Sequence, residues 1–334
     1  MPRGSVRAKR SAVSRRATLG LVGVLIVGAL TSVGPAQSQA GAVLAKRDPT
    51  VESDPAMAAP PPVPREIPFV VADGTTGAVL AERDGHKRLP MASTLKMLTL
   101  LSLLDVLNPN QVVHATYGDV AVSGSRVGLV AGAAYHVRDL YFGMMLASGN
   151  DASLALARAA GGQSKTVDLM RATALGLGAT ETTIVNPDGL DAKGQLSTVH
   201  DLALIAMSGM KRHDFASIVG TTWVWFPGAL PKKKGAHRQK FEVWTINRFM
   251  LHNYRGAIGV KSGYTTHAHN TLVIAARRGA RYYIVALLNC KHDPYIYAEA
   301  LMTWAFKHGA VARSVDQLLP TATPSPSVAA QPSP

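Results

Sequence analysis

The sequence predicts a domain of the α+β (or α/β) class, in which an antiparallel sheet is flanked by helices and a helical subdomain packs beside it. Strand-like segments lie near both ends of the region 65–312, and helix-like segments fill its middle. Strands from both ends are expected to meet in one sheet, because buried backbone groups must be paired. A final helix is predicted after Asp293-Pro294, which offers a cap residue followed by proline at the first helical position.

The elements follow in chain order. Residues 67–72 and 78–82 predict a strand hairpin around the turn Asp73-Gly74-Thr75-Thr76-Gly77. Residues 94–107 are apolar on nearly all sides and end before Asn108-Pro109, which indicates a buried helix. Further helices are predicted over 137–147 and 152–160, and a capping box at Ser197 to Asp201 is expected to open a helix running to Met210. Strands are predicted over 257–261, 271–276 and 282–288.

The two ends of the chain have a different character. Residues 1–40 show a basic stretch, an apolar run over 17–34 and the small-residue end Ser38-Gln39-Ala40, which is typical of a secretory signal cleaved after Ala40. The alternative is an uncleaved membrane anchor. The pair Arg15-Arg16 is also compatible with export by the twin-arginine pathway, as an alternative to the general secretory (Sec) pathway. Residues 41–64 predict a Pro-rich linker, and residues 313–334 a Pro/Ser-rich disordered tail without an anchoring span. We therefore expect an exported protein, secreted or associated with the cell envelope.

The composition excludes several classes of protein. Apolar residues make up 47% and charged residues 17% of the 334, which excludes wholesale disorder. The net charge of +14 falls to +8 (29 − 21) without the six basic residues of 1–40. No nucleic-acid partner is expected, because no zinc or RNA-binding signature accompanies this charge. Cys290 is the single cysteine, which rules out an intramolecular disulfide, and a buried inert thiol is expected there.

A basic segment, residues 231–240, lies between the Trp-bearing strand-like stretches 222–226 and 241–245. The favoured interpretation is a solvated hairpin tip. The alternative is a contact with anionic envelope polymers or lipid phosphates.

The first candidate for chemistry is Ser93-Thr94-Leu95-Lys96, at the start of the predicted buried helix. A serine and a lysine three residues apart lie on one helical face. A lysine in a dry site near a second cation loses its proton more easily and can then deprotonate the serine hydroxyl. By itself the pattern is weak, because four residues with two fixed positions often occur by chance.

The second candidate is Ser148-Gly149-Asn150, between two predicted helices. The hydroxyl can relay a proton and the carboxamide can hold a substrate carbonyl. The alternative is an ordinary turn in which Asn150 or Asp151 caps the next helix.

The third candidate is Lys261-Ser262-Gly263-Tyr264-Thr265, on a predicted strand. Lysine supplies a positive field, serine can bind a carboxylate, and glycine lets a substrate backbone approach closely. The backbone N–H groups of Tyr264 and Ser93 could form an oxyanion hole. The alternative is an edge strand with a solvated lysine.

Together, the three motifs occur in the order S-x-x-K, S-x-N, K-[TS]-G. The chain resembles the D-alanyl-D-alanine carboxypeptidases among the low-molecular-mass penicillin-binding proteins, of the serine β-lactamase-like superfamily. The resemblance spans about residues 67–288 and includes the runs into and after these motifs: Asp73 to Leu80, Leu89 to Ser93, Ala147 to Ala152, Asn186 to Leu190 and Gly259 to Thr265. It implies a β-lactamase/DD-peptidase-like fold and an exported enzyme.

The resemblance also implies roles. Ser93 would be the acylated nucleophile, Lys96 its general base, and Ser148 a proton relay. Asn150 would hold the substrate backbone, Lys261 would complete the electrostatic field, and Ser262 and Thr265 would bind the terminal carboxylate, with Gly263 and Tyr264 lining the strand. The substrate would be a peptidoglycan stem peptide ending in D-Ala-D-Ala, with β-lactam antibiotics as acylating inhibitors. No metal or organic cofactor is implied.

The chain departs from the family pattern in places. Ser262 stands where threonine is usual and loses the methyl group that restricts rotamers. His269 stands where a small residue, such as glycine, is expected. His267 and His269 could suggest a metal pair, but a loop near the cleft is the favoured interpretation. Arg248 could be a second carboxylate anchor, but an exposed arginine is favoured. The C-terminal β-domain and anchoring helix of many relatives are expected to be missing.

Two other functions compete with the carboxypeptidase. A serine β-lactamase shares the motifs but needs an efficient deacylation base. Outside the basic hairpin, Glu181 is the only glutamate between Ser148 and Lys261, and it lacks the surrounding pattern of a class A enzyme. The other alternative is a non-catalytic peptidoglycan- or penicillin-binding protein, which the presence of all the reactive side chains disfavours. The residues do not distinguish water from a second stem peptide as the acceptor.

Overall fold

The computed structural model describes residues 48–231, 233 and 235–318. The predicted signal, residues 41–47 of the predicted linker, positions 232 and 234 and the tail beyond Leu318 lie outside the described residues. Within the described ranges, none of the helices combines the length and apolar character needed to cross a bilayer.

Strands and helices alternate along the chain much as the pattern predicts. The strands are β1 (Glu52–Ser53), β2 (Phe69–Asp73), β3 (Ala78–Arg83), β4 (Val112–His114), β5 (Ala134–His136), β6 (Trp223–Pro227), β7 (Lys240–Trp244), β8 (Ala257–Thr265), β9 (His269–Arg278), β10 (Arg281–Cys290) and β11 (Asp316–Gln317). The helices are α1 (Lys96–Leu103), α2 (Tyr117–Val120), α3 (Val137–Leu146), α4 (Asn150–Ala159), α5 (Gln163–Leu177), α6 (Val199–Met210), α7 (His213–Val219), α8 (Arg248–Leu251) and α9 (Pro294–His308), with a 3₁₀ turn at Ala92–Leu95.

The main sheet of the described chain is antiparallel, in the order β1-β3-β2-β10-β9-β8, and β11 also pairs with β3. Strands from both ends of the domain therefore meet in one sheet, as predicted. Side chains alternate between its faces. Val70 of β2 joins the core shared with α1 and α6, whereas Phe69 and Val71 join the core beneath α9. The antiparallel sheet flanked by helices, with a helical subdomain, is confirmed.

The helices differ from the predictions in several details, and the short helices α2, α7 and α8 were not predicted. Helix α5 was not predicted, because it buries only four of its fifteen residues and its preceding residue, Gly162, provides no side-chain cap. At α6, Thr198 caps the helix by accepting from the Asp201 N–H at 3.0 Å. The predicted reciprocal capping box does not form, because the Asp201 carboxylate instead accepts from the Glu181 N–H and the Thr182 hydroxyl.

The segments beside the predicted domain contribute to the sheet. Within the predicted linker, β1 pairs with β3, Val63 is buried, and Ala58 accepts a hydrogen bond from the Trp304 indole at 2.9 Å. Within the predicted tail, β11 pairs with β3 and Leu318 is fully buried. The composition of these segments does not indicate such contacts, because they depend on distant parts of the chain. Strands β1 and β11 both pair with β3 and cover its outer edge. The structured region thus extends beyond 65–312 on both sides.

Candidate active site

Ser93 lies in the 3₁₀ turn that leads directly into α1, and Lys96 is the first residue of that helix. The Lys96 ammonium nitrogen Nζ is 3.0 Å from Ser93 Oγ. Ala92, just before the serine, has a φ of 49°, a left-handed conformation that non-glycine residues seldom adopt. Ser93 remains partly accessible while Lys96 is fully buried. The helix start therefore presents a reachable hydroxyl with an amine behind it.

Lys96 is held by two further acceptors. Its Nζ donates to Asn150 Oδ1 at 2.7 Å and to the backbone carbonyl of Asp188. Burial lowers the pKa of Lys96 to about 8, even though the Asp188 and Asp151 carboxylates act in the opposite direction. A substantial share of Lys96 is therefore neutral near pH 8, as a general base requires.

Ser148 and Lys261 form the second half of the site. Lys261 Nζ is 3.1 Å from Ser148 Oγ and donates to the Ser262 carbonyl at 2.7 Å. Burial, together with the charge of Lys96, holds the pKa of Lys261 well below its usual value. Ser148 is itself buried with a φ of 58°. Two lysines thus share one dry site, and their mutual repulsion favours the loss of one proton.

Asn150 and Asp151 do not cap α4 with their side chains. The cap position is Gly149, which offers no side-chain bond. Asn150 Nδ2 donates to the Ser123 carbonyl at 2.8 Å while its Oδ1 accepts from Lys96. The Asp151 carboxylate accepts from the backbone N–H groups of Val127, Gly128, Leu129 and Ala152. The ordinary-turn alternative is therefore wrong, because both side chains build the cleft wall.

Strand β8 passes directly in front of the serine. A Cβ on Gly263 would lie 2.7 Å from the Ser93 backbone nitrogen and 2.6 Å from Thr271 Oγ1. Only glycine fits at this distance, so the strand and the start of the helix are closely packed. Tyr264 follows with 64% of its surface exposed. Lys261 is buried, which rules out the solvated-lysine alternative for this strand.

Ser262 lies beside Tyr295 of α9. Burial raises the pKa of the Tyr295 hydroxyl, and a hydrogen bond from the Ser262 side chain acts in the opposite direction. The same hydroxyl accepts from the Arg248 backbone N–H at 3.1 Å. The Arg248 guanidinium lies 4.5 Å from the Tyr295 ring centroid and pairs with Asp293. The Arg248 side chain is 47% exposed, as expected, and it contacts Tyr295 of α9 and the helix cap residue Asp293.

The Thr265 hydroxyl is engaged by a residue that the sequence analysis did not single out. It donates to Asp191 Oδ1 at 2.7 Å, and His267 Nδ1 is 3.0 Å from Asp191 Oδ2. His267 lies in the turn between β8 and β9 and pairs with Asp191 there. His269 has a φ of 54°, which explains why a glycine is expected at this position.

The segment 186–190, part of the family resemblance, contacts Lys96. The Asp188 carbonyl accepts from Lys96, and a Cβ on Gly189 would lie 2.3 Å from the Ala92 carbonyl oxygen. Thr99 and Ser153 both donate to the Pro187 carbonyl, which fixes the segment against α1 and α4. The string Asn-Pro-Asp-Gly-Leu was the available signal, but nothing local indicated that a backbone carbonyl would be used.

Two remaining predictions concern residues outside this cleft. Cys290 is fully buried, and burial raises the pKa of its thiol to about 11. Glu181 Oε2 contacts His86 Nδ1 at 2.6 Å, so this carboxylate is engaged elsewhere and is not paired with Ser93 or Lys96. This geometry speaks against the β-lactamase alternative.

Comparisons with known proteins identify the family. A sequence model of the family "D-alanyl-D-alanine carboxypeptidase" matches residues 56–292. The D-alanyl-D-alanine carboxypeptidase DacB2 of Mycobacterium tuberculosis is 40% identical over 223 residues, covering 66% of this chain and 73% of that protein. A crystal structure of a D-alanyl-D-alanine carboxypeptidase from the same organism superposes with a TM-score of 0.73 at 35% identity, covering 80% of this chain and 99% of that one.

The chain is also similar to a second solved structure. The Streptomyces K15 DD-transpeptidase superposes with a TM-score of 0.68 at 28% identity, covering 74% of this chain and 98% of that one. The resemblance predicted from the three motifs is thereby confirmed, as is the penicillin-binding, β-lactamase-like fold. The chain belongs to the family of D-alanyl-D-alanine carboxypeptidases, which are serine-type peptidases.

Proposed function

We propose that this protein removes the terminal D-alanine from peptidoglycan stem peptides ending in D-Ala-D-Ala, through an acyl-enzyme on Ser93. The observation that carries the proposal is the 3.0 Å contact between Ser93 Oγ and the fully buried Lys96 Nζ. A lysine with a pKa near 8 is the nearest group able to accept the hydroxyl proton.

The steps follow from the geometry. Neutral Lys96 takes the Ser93 proton while Oγ attacks the carbonyl carbon of the penultimate D-alanine. The oxyanion forms beside the Ser93 and Tyr264 backbone N–H groups, where α1 begins. The C–N bond then breaks, and the leaving amine of D-alanine receives a proton relayed by the Ser148 hydroxyl. Water hydrolyses the ester and restores Ser93.

Both walls of the cleft take part in the proposed substrate binding. Asn150 holds the substrate backbone, and strand β8 from Ser262 to Thr265 lies alongside it, with Gly263 allowing close approach. Lys261 supplies positive charge, and the Ser262 and Thr265 hydroxyls bind the terminal carboxylate. Thr265 must first release Asp191, whose negative charge would otherwise oppose a carboxylate there.

A transpeptidase is the second candidate, favoured by the similarity to the K15 DD-transpeptidase. Both reactions share the acyl-enzyme and differ only in the acceptor, water or the amine of a second stem peptide. Incubation with a D-Ala-D-Ala peptide and an amine acceptor, followed by mass spectrometry, distinguishes hydrolysed from transferred product.

The nucleophile is tested with Ser93→Ala. We expect loss of both D-alanine release and penicillin labelling with an unchanged melting temperature, because one hydroxyl contributes little to stability. Intact-mass measurement after penicillin incubation should give one stable adduct on Ser93 in the parent protein. Rapid turnover of penicillin would instead indicate a β-lactamase, and absence of any adduct a non-catalytic binding protein.

We also propose that the protein acts outside the cytoplasm, at the cell envelope. The signal-like residues 1–40 and membership of a family named for cell-wall chemistry support this location. Fractionation of cells expressing the full chain would contradict it if the protein remained cytoplasmic.

The hairpin formed by β6 and β7 has exposed aromatic side chains and basic residues that suit binding of an anionic polymer. Trp223, Trp225 and Trp244 are 39–55% exposed, and Trp223 and Trp244 stack at 5.9 Å. Residues 232–240 include five lysine or arginine residues and no aspartate or glutamate. Indole faces suit sugar rings and lysines suit phosphates, so we propose an anionic glycopolymer of the envelope.

Binding to a purified anionic wall polymer should quench the tryptophan emission and weaken as salt increases. Lys233→Glu with Lys240→Glu should abolish the effect, whereas Lys165→Glu with Lys307→Glu, on α5 and α9, should not. Equal binding by both double variants, or binding only to anionic lipid vesicles, would contradict the polymer.

A further inference from the structure

Away from the cleft, two histidines and an aspartate converge at the outer edge of the sheet. His86 lies in the loop after β3, His200 in the first turn of α6, and Asp316 in β11. One nitrogen or oxygen atom from each lies within 4.8 Å of the others. Nε2 of His86 is 3.3 Å, and Nε2 of His200 is 3.5 Å, from the same oxygen, Oδ2 of Asp316.

These separations fit a tetrahedral metal ion. Zinc bound by imidazole nitrogen and carboxylate oxygen at about 2.0–2.2 Å places neighbouring ligand atoms roughly 3.4 Å apart. Both measured separations from Asp316 are close to this value. The three ligands come from segments far apart in the chain, so the cluster is a product of the fold.

The other ring nitrogen of His86, Nδ1, contacts a carboxylate, as is usual for a histidine that binds a metal through Nε2. His86 Nδ1 is 2.6 Å from Glu181 Oε2. Ligating histidines usually donate their other N–H to a carboxylate, which fixes the tautomer and makes the free nitrogen a better ligand. Glu181 therefore directs His86 Nε2 toward Asp316.

A buried acidic side chain also lies near the cluster. Glu82 is 94% buried, and its Oε2 finds no hydrogen-bond partner among the described residues. Burial and the nearby Asp316 carboxylate raise the pKa of Glu82 to about 7, while His86 acts in the opposite direction. Glu82 and His86 line one open cavity of about 610 Å³, which gives an ion access from solvent. A buried carboxylate without a partner is costly unless a cation compensates it.

We propose that His86, His200 and Asp316 bind a divalent zinc-type ion, with water as the fourth ligand. The imidazole and carboxylate donors suit Zn²⁺ better than Mg²⁺ or Ca²⁺, which prefer oxygen. The site lies at the β3 edge of the sheet, whereas the cleft is built on β8 at the opposite edge. The ion therefore acts on stability, by joining the loop, α6 and the short strand β11.

The alternative is a hydrogen-bonded cluster with no ion. His200 Nε2 is also 3.2 Å from the Gln317 carbonyl, a contact that a neutral imidazole makes as a donor. Such a cluster would join the same segments but would not respond to metal.

The test uses the full chain, stripped with EDTA and titrated with ZnCl₂. We expect one zinc per chain by elemental analysis and a melting temperature several degrees higher in saturating zinc. Cobalt in place of zinc should give the visible absorption of a tetrahedral site. Because this readout is independent of peptidase activity, its outcome is separate from that of the proposed reaction.

Variants locate the ion. His86→Gln and Asp316→Asn should lose the bound zinc, the cobalt spectrum and the thermal shift. His252→Gln is the matched control, because His252 is half-exposed and pairs with Glu299 elsewhere on the surface. If one ligand variant fails to fold, His200→Gln, which removes the third ligand, together with the zinc content of the parent chain, provides the second measurement. Absence of stoichiometric zinc in the parent protein, or zinc retained by the His86 and Asp316 variants, would overturn the proposal.

Discussion

The proposed role of Lys96 as a base requires an uncharged amine, and its complete burial favours that form near neutral pH. Burial lowers its pKa to about 8 from a usual value near 10.5. The neutral fraction therefore increases as the pH rises through 8. Asn150 Oδ1 and the Asp188 carbonyl accept hydrogen bonds from Nζ and hold it in place, while burial is the cause that lowers the pKa.

The rate of acylation by penicillin should rise with pH and level off above about 8. Lys96→Arg should fail as badly as Lys96→Ala, by about 10²- to 10⁴-fold, because arginine keeps the charge but cannot be deprotonated. Second-order acylation rates measured from pH 6 to 10 test both statements. Activity retained by the arginine variant would show that Lys96 serves only as a fixed charge.

A second prediction concerns the hydroxyl of Ser262. If its hydroxyl binds the substrate carboxylate, Ser262→Ala removes a charge-assisted bond of about 1.5–3 kcal/mol, or roughly 10- to 150-fold in kcat/KM. Ser262→Thr keeps the hydroxyl and should be near neutral or improved. Tyr295→Phe, which removes the hydroxyl beside Ser262, should have a smaller effect than Ser262→Ala.

Steady-state kinetics on a free-acid peptide and its C-terminal amide separate the two roles of Ser262. The amide should react poorly with every variant and show little difference among them. An equal alanine penalty on both peptides would mean that Ser262 shapes β8 and does not bind the carboxylate.

At the scale of elements, the cleft depends on how α4 holds the loop before α3. Asp151, at the start of α4, is 1% exposed and accepts from four backbone N–H groups, three of them in the loop at 127–129. Its neighbour Asn150 contacts the same region through Ser123. One buried carboxylate therefore fixes the wall that carries Ser148 and Asn150.

Asp151→Ala should lower the free energy of unfolding by about 3 kcal/mol or more, because several buried N–H groups lose their acceptor. Asp168→Ala, at an exposed pair with Arg171, should change it by less than about 0.5 kcal/mol. Denaturant unfolding measures both. Asp151→Asn should also shift the acylation profile to lower pH, because the Asp151 charge raises the pKa of Lys96. Equal stability of the two alanine variants would contradict this role.

At the scale of the whole molecule, the two short strands β1 and β11 cover the outer edge of β3 with residues from both ends of the described chain. Leu318 after β11 is fully buried, and the Arg313 N–H donates to Asp54 at 2.9 Å. The segment after α9 is therefore part of the domain and completes the sheet opposite the catalytic strand.

A chain ending at residue 312 should be less stable than one ending at 318 by about 2 kcal/mol, the value of burying one leucine, before strand pairing is counted. The shorter chain should also lose the zinc-dependent thermal shift, because it lacks Asp316. Thermal unfolding with and without zinc measures both. Identical melting curves would mean that β11 contributes nothing to the domain.

By itself, the sequence determined the family, the order of the strands and helices around the motifs, and the residue types of the cleft. Local signals were sufficient there: the serine and lysine three apart, the Asp293-Pro294 cap, the alternating strands and the glycine of β8. The tertiary structure alone decided that Lys96 uses the Asp188 carbonyl, that Asp191 engages Thr265, and that His86, His200 and Asp316 meet. Those contacts join segments tens to hundreds of residues apart, and burial, which sets the lysine pKa values, is a property of the packed fold.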